Sequence, residues 1–318
     1  MSVPSPGPRQ AAVIPSEPDR TPDRAPSSTA VHSKRIPDLA VPAEYLYFPS
    51  SRFPDAVAVV SLPSDYFAEP KKRFPLVIAF GGAGECAREP EKGALAWAGY
   101  YDADEAAVAL EKKSLTEEHF RGLVTEPQLA AFNQRLHMKP YSGIILACPY
   151  SPPLSPTAKD FEQPRYERFI VDELIPELKR RYRTIPGAVG VDGVSMGGAR
   201  SFYYGFSYPQ EFLSIGAVQG AFGPYMVTYA RLVKENADSL RSRAIQVVTS
   251  DDDVLAPSSA RMHELLLSHD IKHIYSVLTG PHDYIFNQGP GSIALLMFHN
   301  EALRSGRVVE EPAAHNRN

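Results

Sequence analysis

Residues 188–208 read AVGVDGVSMGGARSFYYGFSY. A short apolar run ends in Gly193-Val194-Ser195-Met196-Gly197-Gly198 and passes directly into a segment with helical apolar spacing. A strand that turns this sharply into a helix puts the serine on a strained corner, where its hydroxyl stands above the sheet edge. The flanking glycines have a steric reason, because Cβ atoms there would collide across so tight a turn. A motif of this kind is only moderate evidence alone; its place between strand and helix is what gives it weight.

The same strand signature recurs on both sides. FPLVIAFGGAGE (74–85), GIILACP (143–149), LSIGAVQG (213–220), AIQVVTS (244–250) and HIYSVLTG (273–280) are short, nearly continuous apolar runs. Such runs suit strands buried on both faces of a parallel sheet. Two earlier stretches, EYLYFPSS and AVAVVSLP, read as further strands. Helical patterns lie between them: RYERFIVDELIPELKRRY, ARSFYYGFSY, SSARMHELLLSH and GSIALLMFHNEALRSG. Pro176 falls inside the first and predicts a kink there. Strand alternating with helix predicts one open, mostly parallel α/β sheet with helices on both faces.

Nine of the thirty prolines fall in the first 42 residues, with almost no periodic apolar content. That composition cannot offset its ordering entropy, so residues 1–38 are expected to be a disordered tail. The domain is expected over 39–306, with 307–318 a flexible C-terminal tail. Gly84 and Gly143 are separated by far more chain than a crossover needs. DADEAAVALEKKSL and EPQLAAFNQRL make residues 88–140 a helical insertion after the third expected strand, read either as a lid or pocket wall or as helices packed on the sheet.

A net charge of −4 gives no electrostatic footprint for nucleic acid and no polybasic membrane patch. No run approaches the length of a membrane span, and no signal-peptide pattern opens the chain, so a cytoplasmic location is the expectation. Cys86 and Cys148 sit in apolar surroundings; they read as buried thiols or as one disulfide. No CxxC or HExxH spacing supports a metal, and no cofactor is implied.

A serine hydroxyl needs a base, usually a histidine held by a carboxylate. Of the six histidines after Ser195, His263, His269 and His299 lie on amphipathic helix patterns, His273 opens a strand and His315 is in the tail. His282 differs, since Gly280-Pro281-His282-Asp283 leaves the end of the last strand, at the edge where catalytic groups collect. The acid should end the preceding strand, where Asp251, Asp252 and Asp253 are consecutive. Asp253, deepest in the turn, is the first choice and the other two remain open. The oxyanion formed on attack needs N–H donors, expected from Met196 and from Gly82 in the turn Phe80-Gly81-Gly82-Ala83-Gly84. Trp97 and Tyr100, with Tyr101 beside them, follow that turn closely enough to be expected as substrate-binding walls.

With these residues in place, the chain resembles the "putative esterase" family of the α/β-hydrolase superfamily, which includes esterase D and the feruloyl esterases. The resemblance covers roughly residues 70–305 and rests on IVDELIPELKRRY, GVSMGGARSFYYGFSYPQEF and TGPHDYIF. It implies an α/β-hydrolase fold, a carboxylic-ester hydrolase acting on a small-molecule ester, and a triad of Ser195, His282 and Asp253. The chain departs from the family at Phe80-Gly81-Gly82, where members have His-Gly, and in the length of the insertion. An acyltransferase using the same triad is the alternative. A serine peptidase or a non-catalytic binding protein stands further off. Oligomeric state is not legible.

Overall fold

The computed structural model describes residues 31–49, 53–154 and 163–305. Nine strands form one sheet: β1 (His32–Ile36), β2 (Ala43–Tyr47), β3 (Val57–Ser61), β4 (Phe74–Phe80), β5 (Ile145–Pro149), β6 (Thr184–Gly193), β7 (Ser214–Val218), β8 (Ala244–Asp252) and β9 (Ile274–Pro281). Their order is β1-β2-β3-β5-β4-β6-β7-β8-β9. The pairs β1–β2, β2–β3 and β3–β5 are antiparallel; every later pair is parallel. The central strands are apolar throughout because both faces are covered. Leu76, Ile78 and Phe80 of β4 face one cluster with Phe169, Leu178, Phe202, Tyr229 and Leu266. Val77 and Ala79 face the other, with Trp97, Leu110, Phe120, Leu136 and Leu295. That alternation along one strand separates the two helical layers.

Two sequence expectations change. Residues 32–36 form an edge strand rather than part of a tail, with His32 opposite Tyr47 and Ile36 opposite Ala43. β1 is almost wholly exposed, so it carries no apolar signature; backbone pairing and the stacking of His32 on Tyr47 at 4.8 Å hold it. The remainder of the expected tails, residues 1–30 and 306–318, lies outside the described residues. Because β1 precedes the strands read from the sequence, the insertion follows the fourth strand and not the third.

The insertion supplies the helices Pro90–Ala94, Ala103–Glu111 and Glu126–Met138 with shorter turns between them. Trp97, Leu110, Phe120 and Leu136 are wholly buried against the second sheet face, so much of this segment is a covering layer. The kink expected at Pro176 takes a specific form. Phe169–Leu174 winds as a wider π-helix directly before the helix Ile175–Arg181. A proline cannot donate back along the helix, and the wider turn upstream takes up the mismatch.

The chain runs outward from β4 to β5, then returns to β6 on the other side of β4. Such a reversal opens a crevice at the carboxyl ends of the two strands. β4 ends in the glycine turn 81–84, and β6 ends one residue before Val194-Ser195. No helix among the described residues is long and apolar enough to cross a membrane.

Candidate active site

Ser195 sits between β6 and the helix Met196–Ser207 with φ 55° and ψ −115°, a conformation L-residues rarely adopt. Its backbone is clamped: Ser195 N–H donates to Val218 O (2.9 Å), and Ser195 O accepts from Ala221 N–H (2.9 Å). A Cβ on Gly193 would lie 2.3 Å from Gly197 O, and one on Gly197 would lie 2.3 Å from Phe80 O. Both motif glycines are therefore required by contact with backbone that cannot move aside. Ser195 Oγ has no hydrogen-bond partner among the described residues. Such contacts often tighten only when substrate is bound.

His282 follows the end of β9, and its Nδ1–H donates to Asp253 Oδ1 at 2.8 Å. The Asp253 side chain is wholly buried, while that of His282 is 23% exposed. Thr249 Oγ1–H and Leu255 N–H also donate to Asp253, at 2.7 and 2.8 Å. Burial works to raise this carboxyl, but the hydrogen bonds from His282, Thr249 and Leu255 outweigh it and hold it below the ordinary carboxylate range. Of the three adjacent aspartates, Asp253 alone meets His282. Asp251 accepts from Gly280 N–H at 2.9 Å, bracing the end of β9, and Asp252 is exposed.

The other histidines are engaged elsewhere. His263 Nδ1 and His273 Nε2 are 2.7 Å apart, and His269 Nδ1 lies 3.1 Å from Leu265 O. His299 is wholly buried between Asp192 Oδ2 (3.0 Å) and Ser214 Oγ (2.7 Å). His315 lies outside the described residues.

The expected oxyanion donors differ in availability. Met196 N–H donates to no described residue. Gly82 N–H is engaged, donating to the Tyr101 hydroxyl at 3.1 Å. The N–H of Ala83, next in the turn and exposed, donates to no described residue. That engagement was not foreseeable from glycine spacing, because it depends on where Tyr101 returns to the turn.

Trp97 is a correction. It was expected as a pocket wall, but it is wholly buried, with its indole N–H donating to Phe80 O at 3.0 Å and its ring edge-on to Tyr101. An indole that satisfies its one donor beneath β4 is packing the sheet, not facing a ligand. Tyr100 is half-buried, and the Arg88 guanidinium lies over its ring at 4.5 Å.

Two surface cavities lie away from this crevice. One of about 370 Å³ is lined by Glu105, Lys112, His119 and Arg121, and one of about 590 Å³ by His32, Tyr47, Pro54 and Glu91. The histidine–carboxylate geometry, and not cavity size, marks the site. Among the described residues no three histidine, cysteine or acidic side chains are placed to hold a metal ion. Cys86 and Cys148 are free and buried, and burial pushes their thiols up to about 11 and about 12.

Residues 151–275 match the model of the family described as "Putative esterase". Similar solved structures include a ferulic acid esterase, 16% identical with a TM-score of 0.59 over 86% of this chain and 98% of that one. An S-formylglutathione hydrolase from Agrobacterium tumefaciens is 13% identical, with a TM-score of 0.53 over 86% of this chain and 100% of that one. The S954A mutant of the feruloyl esterase module from Clostridium thermocellum, complexed with sinapinate, is 13% identical with a TM-score of 0.53, over 90% and 91%. This chain has the α/β-hydrolase fold, and its residues 151–275 are similar to the putative esterase family. The matched residues run from Ser151 through the Ser195 corner and Asp253 to Tyr275, and so stop short of His282.

Sequence reasoning missed several residues that shape the crevice. Gln219, wholly buried with φ 48°, follows β7; its Nε2–H donates to Ser250 Oγ (2.7 Å) and Pro281 O (3.1 Å). It ties together the carboxyl ends of three neighbouring strands. Glu85 and Tyr284 approach each other from opposite sides of the crevice. The available signal was modest: a polar residue where an apolar strand ends, and a lone acid after a glycine turn.

Proposed function

We propose that the chain hydrolyses carboxylic esters through an acyl-enzyme on Ser195. The observation that carries this reading is the buried Asp253 carboxylate on His282 Nδ1, at the same sheet edge as a serine held with φ 55°. With Nδ1–H committed to Asp253, the free nitrogen of neutral His282 is Nε2, an acceptor. His282 Nε2 takes the Ser195 hydroxyl proton as Oγ attacks the carbonyl carbon. The carbonyl electron pair moves to oxygen, where Met196 N–H and an N–H of the 81–84 turn stabilise it. Collapse breaks the ester C–O bond, and the alcohol leaves with the proton from His282. Water, deprotonated by the same nitrogen, then attacks the acyl carbon; the acyl–Oγ bond breaks, His282 returns the proton to Ser195 Oγ, and the acid is released. Asp253 fixes the tautomer and stabilises the imidazolium without taking the proton.

The test combines labelling and turnover. A fluorophosphonate should modify Ser195 alone, and Ser195→Ala should lose about a thousandfold or more in kcat on p-nitrophenyl esters. Labelling of another serine, or unchanged turnover in Ser195→Ala, would sink the reading. The neighbours' names argue for including aromatic acyl esters and a thioester in the panel. Adding an alcohol acceptor to the same assay separates hydrolysis from acyl transfer, because only a transferase diverts most acyl groups from water.

A further inference from the structure

Glu85 is only 2% exposed, an unusual place for a carboxylate, and the chemistry described above makes no use of it. It lies directly after the glycine turn that ends β4. The Tyr101 hydroxyl donates to Glu85 Oε2 and itself accepts from Gly82 N–H. The Tyr284 hydroxyl donates to Glu85 Oε1 at 2.5 Å. Tyr284 stands two residues after His282, on a short turn that Asp283 caps by accepting from Phe286 N–H at 2.9 Å. The two phenol rings lie 5.8 Å apart. A Cβ on Gly84 would lie 3.0 Å from the Tyr284 hydroxyl, so that tyrosine rests over the turn. Among the described residues, Arg88 is the cation at this group, 3.8 Å from Glu85 and also hydrogen-bonded to the Tyr284 hydroxyl.

We propose that Glu85 is a positioning residue: its buried carboxylate, held by Tyr101 and Tyr284, fixes the oxyanion turn relative to the loop that carries His282. The inference rests on the hydrolase reading given above. The two elements belong to opposite ends of the chain, and their residues make no backbone pairing with each other. Asp253 orients the His282 ring from one side, yet nothing in that contact sets the distance from the ring to the turn at 81–84. Glu85 supplies that constraint, since both of its oxygens are used and each reaches a different element. Both phenols stay protonated donors. Burial and the neighbouring carboxylate raise Tyr101 well above its ordinary value, and burial with the Glu85 hydrogen bond raises Tyr284. A glutamine here replaces one of the two oxygens with an NH₂, which cannot accept from the tyrosine that faces it.

Three variants of the full chain test this: Glu85→Gln, Glu85→Ala and Tyr284→Phe. The last removes one oxygen from a residue that is 41% exposed, and so keeps the fold even if Glu85→Ala does not. Turnover is expressed per fluorophosphonate-titrated site, which removes any misfolded fraction. Misplacement of reacting groups by a fraction of an ångström up to 1 Å costs up to about a hundredfold. Tyr284→Phe and Glu85→Gln should therefore each lower kcat about tenfold, and Glu85→Ala about a hundredfold, with KM within about threefold. Adding Tyr284→Phe to Glu85→Ala should cost nothing further, because the link is already cut. Amide exchange gives an independent reading: Gly82 and residues 282–286 should exchange at least about tenfold faster in Glu85→Ala, or in Glu85→Gln if the alanine variant is unfolded. Wild-type kcat per titrated site in both Tyr284→Phe and Glu85→Gln would overturn the proposal, as would unchanged exchange in both segments. A wild-type protein inactive on every ester would instead defeat the hydrolase reading, and the exchange measurement would still decide whether Glu85 holds the two elements together.

Discussion

At the scale of single residues, three consecutive aspartates show how burial distributes roles that composition cannot. Asp251, Asp252 and Asp253 are chemically identical, but only Asp253 turns inward to accept three hydrogen bonds, one of them from His282. Asp253→Asn should keep the fold and lower kcat about a thousandfold or more, because an amide can present N–H to His282 and favour the wrong tautomer. Asp252→Asn, at an exposed position, should stay within a few-fold of wild type. Steady-state rates of the two variants, measured on one ester, check this, and the reverse ranking would reassign the acid. The same group has a pH consequence. Its carboxyl is held below the ordinary range in the folded chain, so its stabilising contribution is fully present above the unfolded value of about 3.9. That contribution is lost as pH falls through the lower folded value. Melting curves below about pH 4 should thus fall less steeply for Asp253→Asn than for wild type.

At the scale of elements, the structure separates what apolar pattern can announce from what it cannot. The eight apolar stretches all became strands because the two helical layers bury both faces of the central ones, and burial is what periodicity records. β1 was invisible for the opposite reason: HSKRI is exposed, and its backbone pairing leaves no trace in side-chain chemistry. The helix Met226–Leu240 also escapes the apolar-spacing reading, although Tyr229, Leu232 and Val233 bury one of its faces. The Ser195 corner was legible because its glycines stand between a strand run and a helical run; Gly193 is demanded locally, by Gly197 O four residues on, whereas Gly197 is demanded by Phe80 O at the end of β4. The engagement of Gly82 by Tyr101 and the inward position of Trp97 were not, since both depend on how the insertion folds back under β4. That placement gives a prediction for the insertion as an element. Trp97→Ala removes a wholly buried side chain and one hydrogen bond, so it should cost about 3–5 kcal/mol and lower Tm markedly. Its remaining activity, per titrated site, should scale alike across short and bulky esters. A selective loss for bulky esters with little change in Tm would return Trp97 to the pocket.

At the scale of the whole molecule, two histidine–aspartate pairs sit on the same sheet and do opposite things. The His282–Asp253 pair lies at the carboxyl edge with its histidine part-exposed; in the His299–Asp192 pair both side chains are wholly buried. His299 belongs to the helix Ser292–Ser305, which crosses the second face of the sheet, and Asp192 lies on β6 three residues before Ser195. Ser214 on β7 completes the inner set through His299 Nδ1, and Asp192 also accepts from Gly193 N–H at 2.6 Å. The inner set therefore has the residue types of a catalytic relay without access for a substrate. What it supplies is attachment of the last helix to the strand that presents the nucleophile. Burial raises the Asp192 carboxyl above its ordinary value, and the hydrogen bond from His299 works against that rise. Removing the histidine leaves the carboxyl buried without its main donor, a loss of about 3–5 kcal/mol for a broken buried pair. His299→Ala should accordingly lower Tm steeply, and the folded fraction that remains should turn over ester at close to the wild-type rate per titrated site. His282→Ala should do the reverse, with Tm little changed and kcat reduced about a thousandfold or more. Measuring Tm and titrated kcat on both variants separates the two pairs. If His299→Ala lost turnover per titrated site while keeping its Tm, the inner set would have a part in the chemistry and the assignment of the base to His282 would need revision.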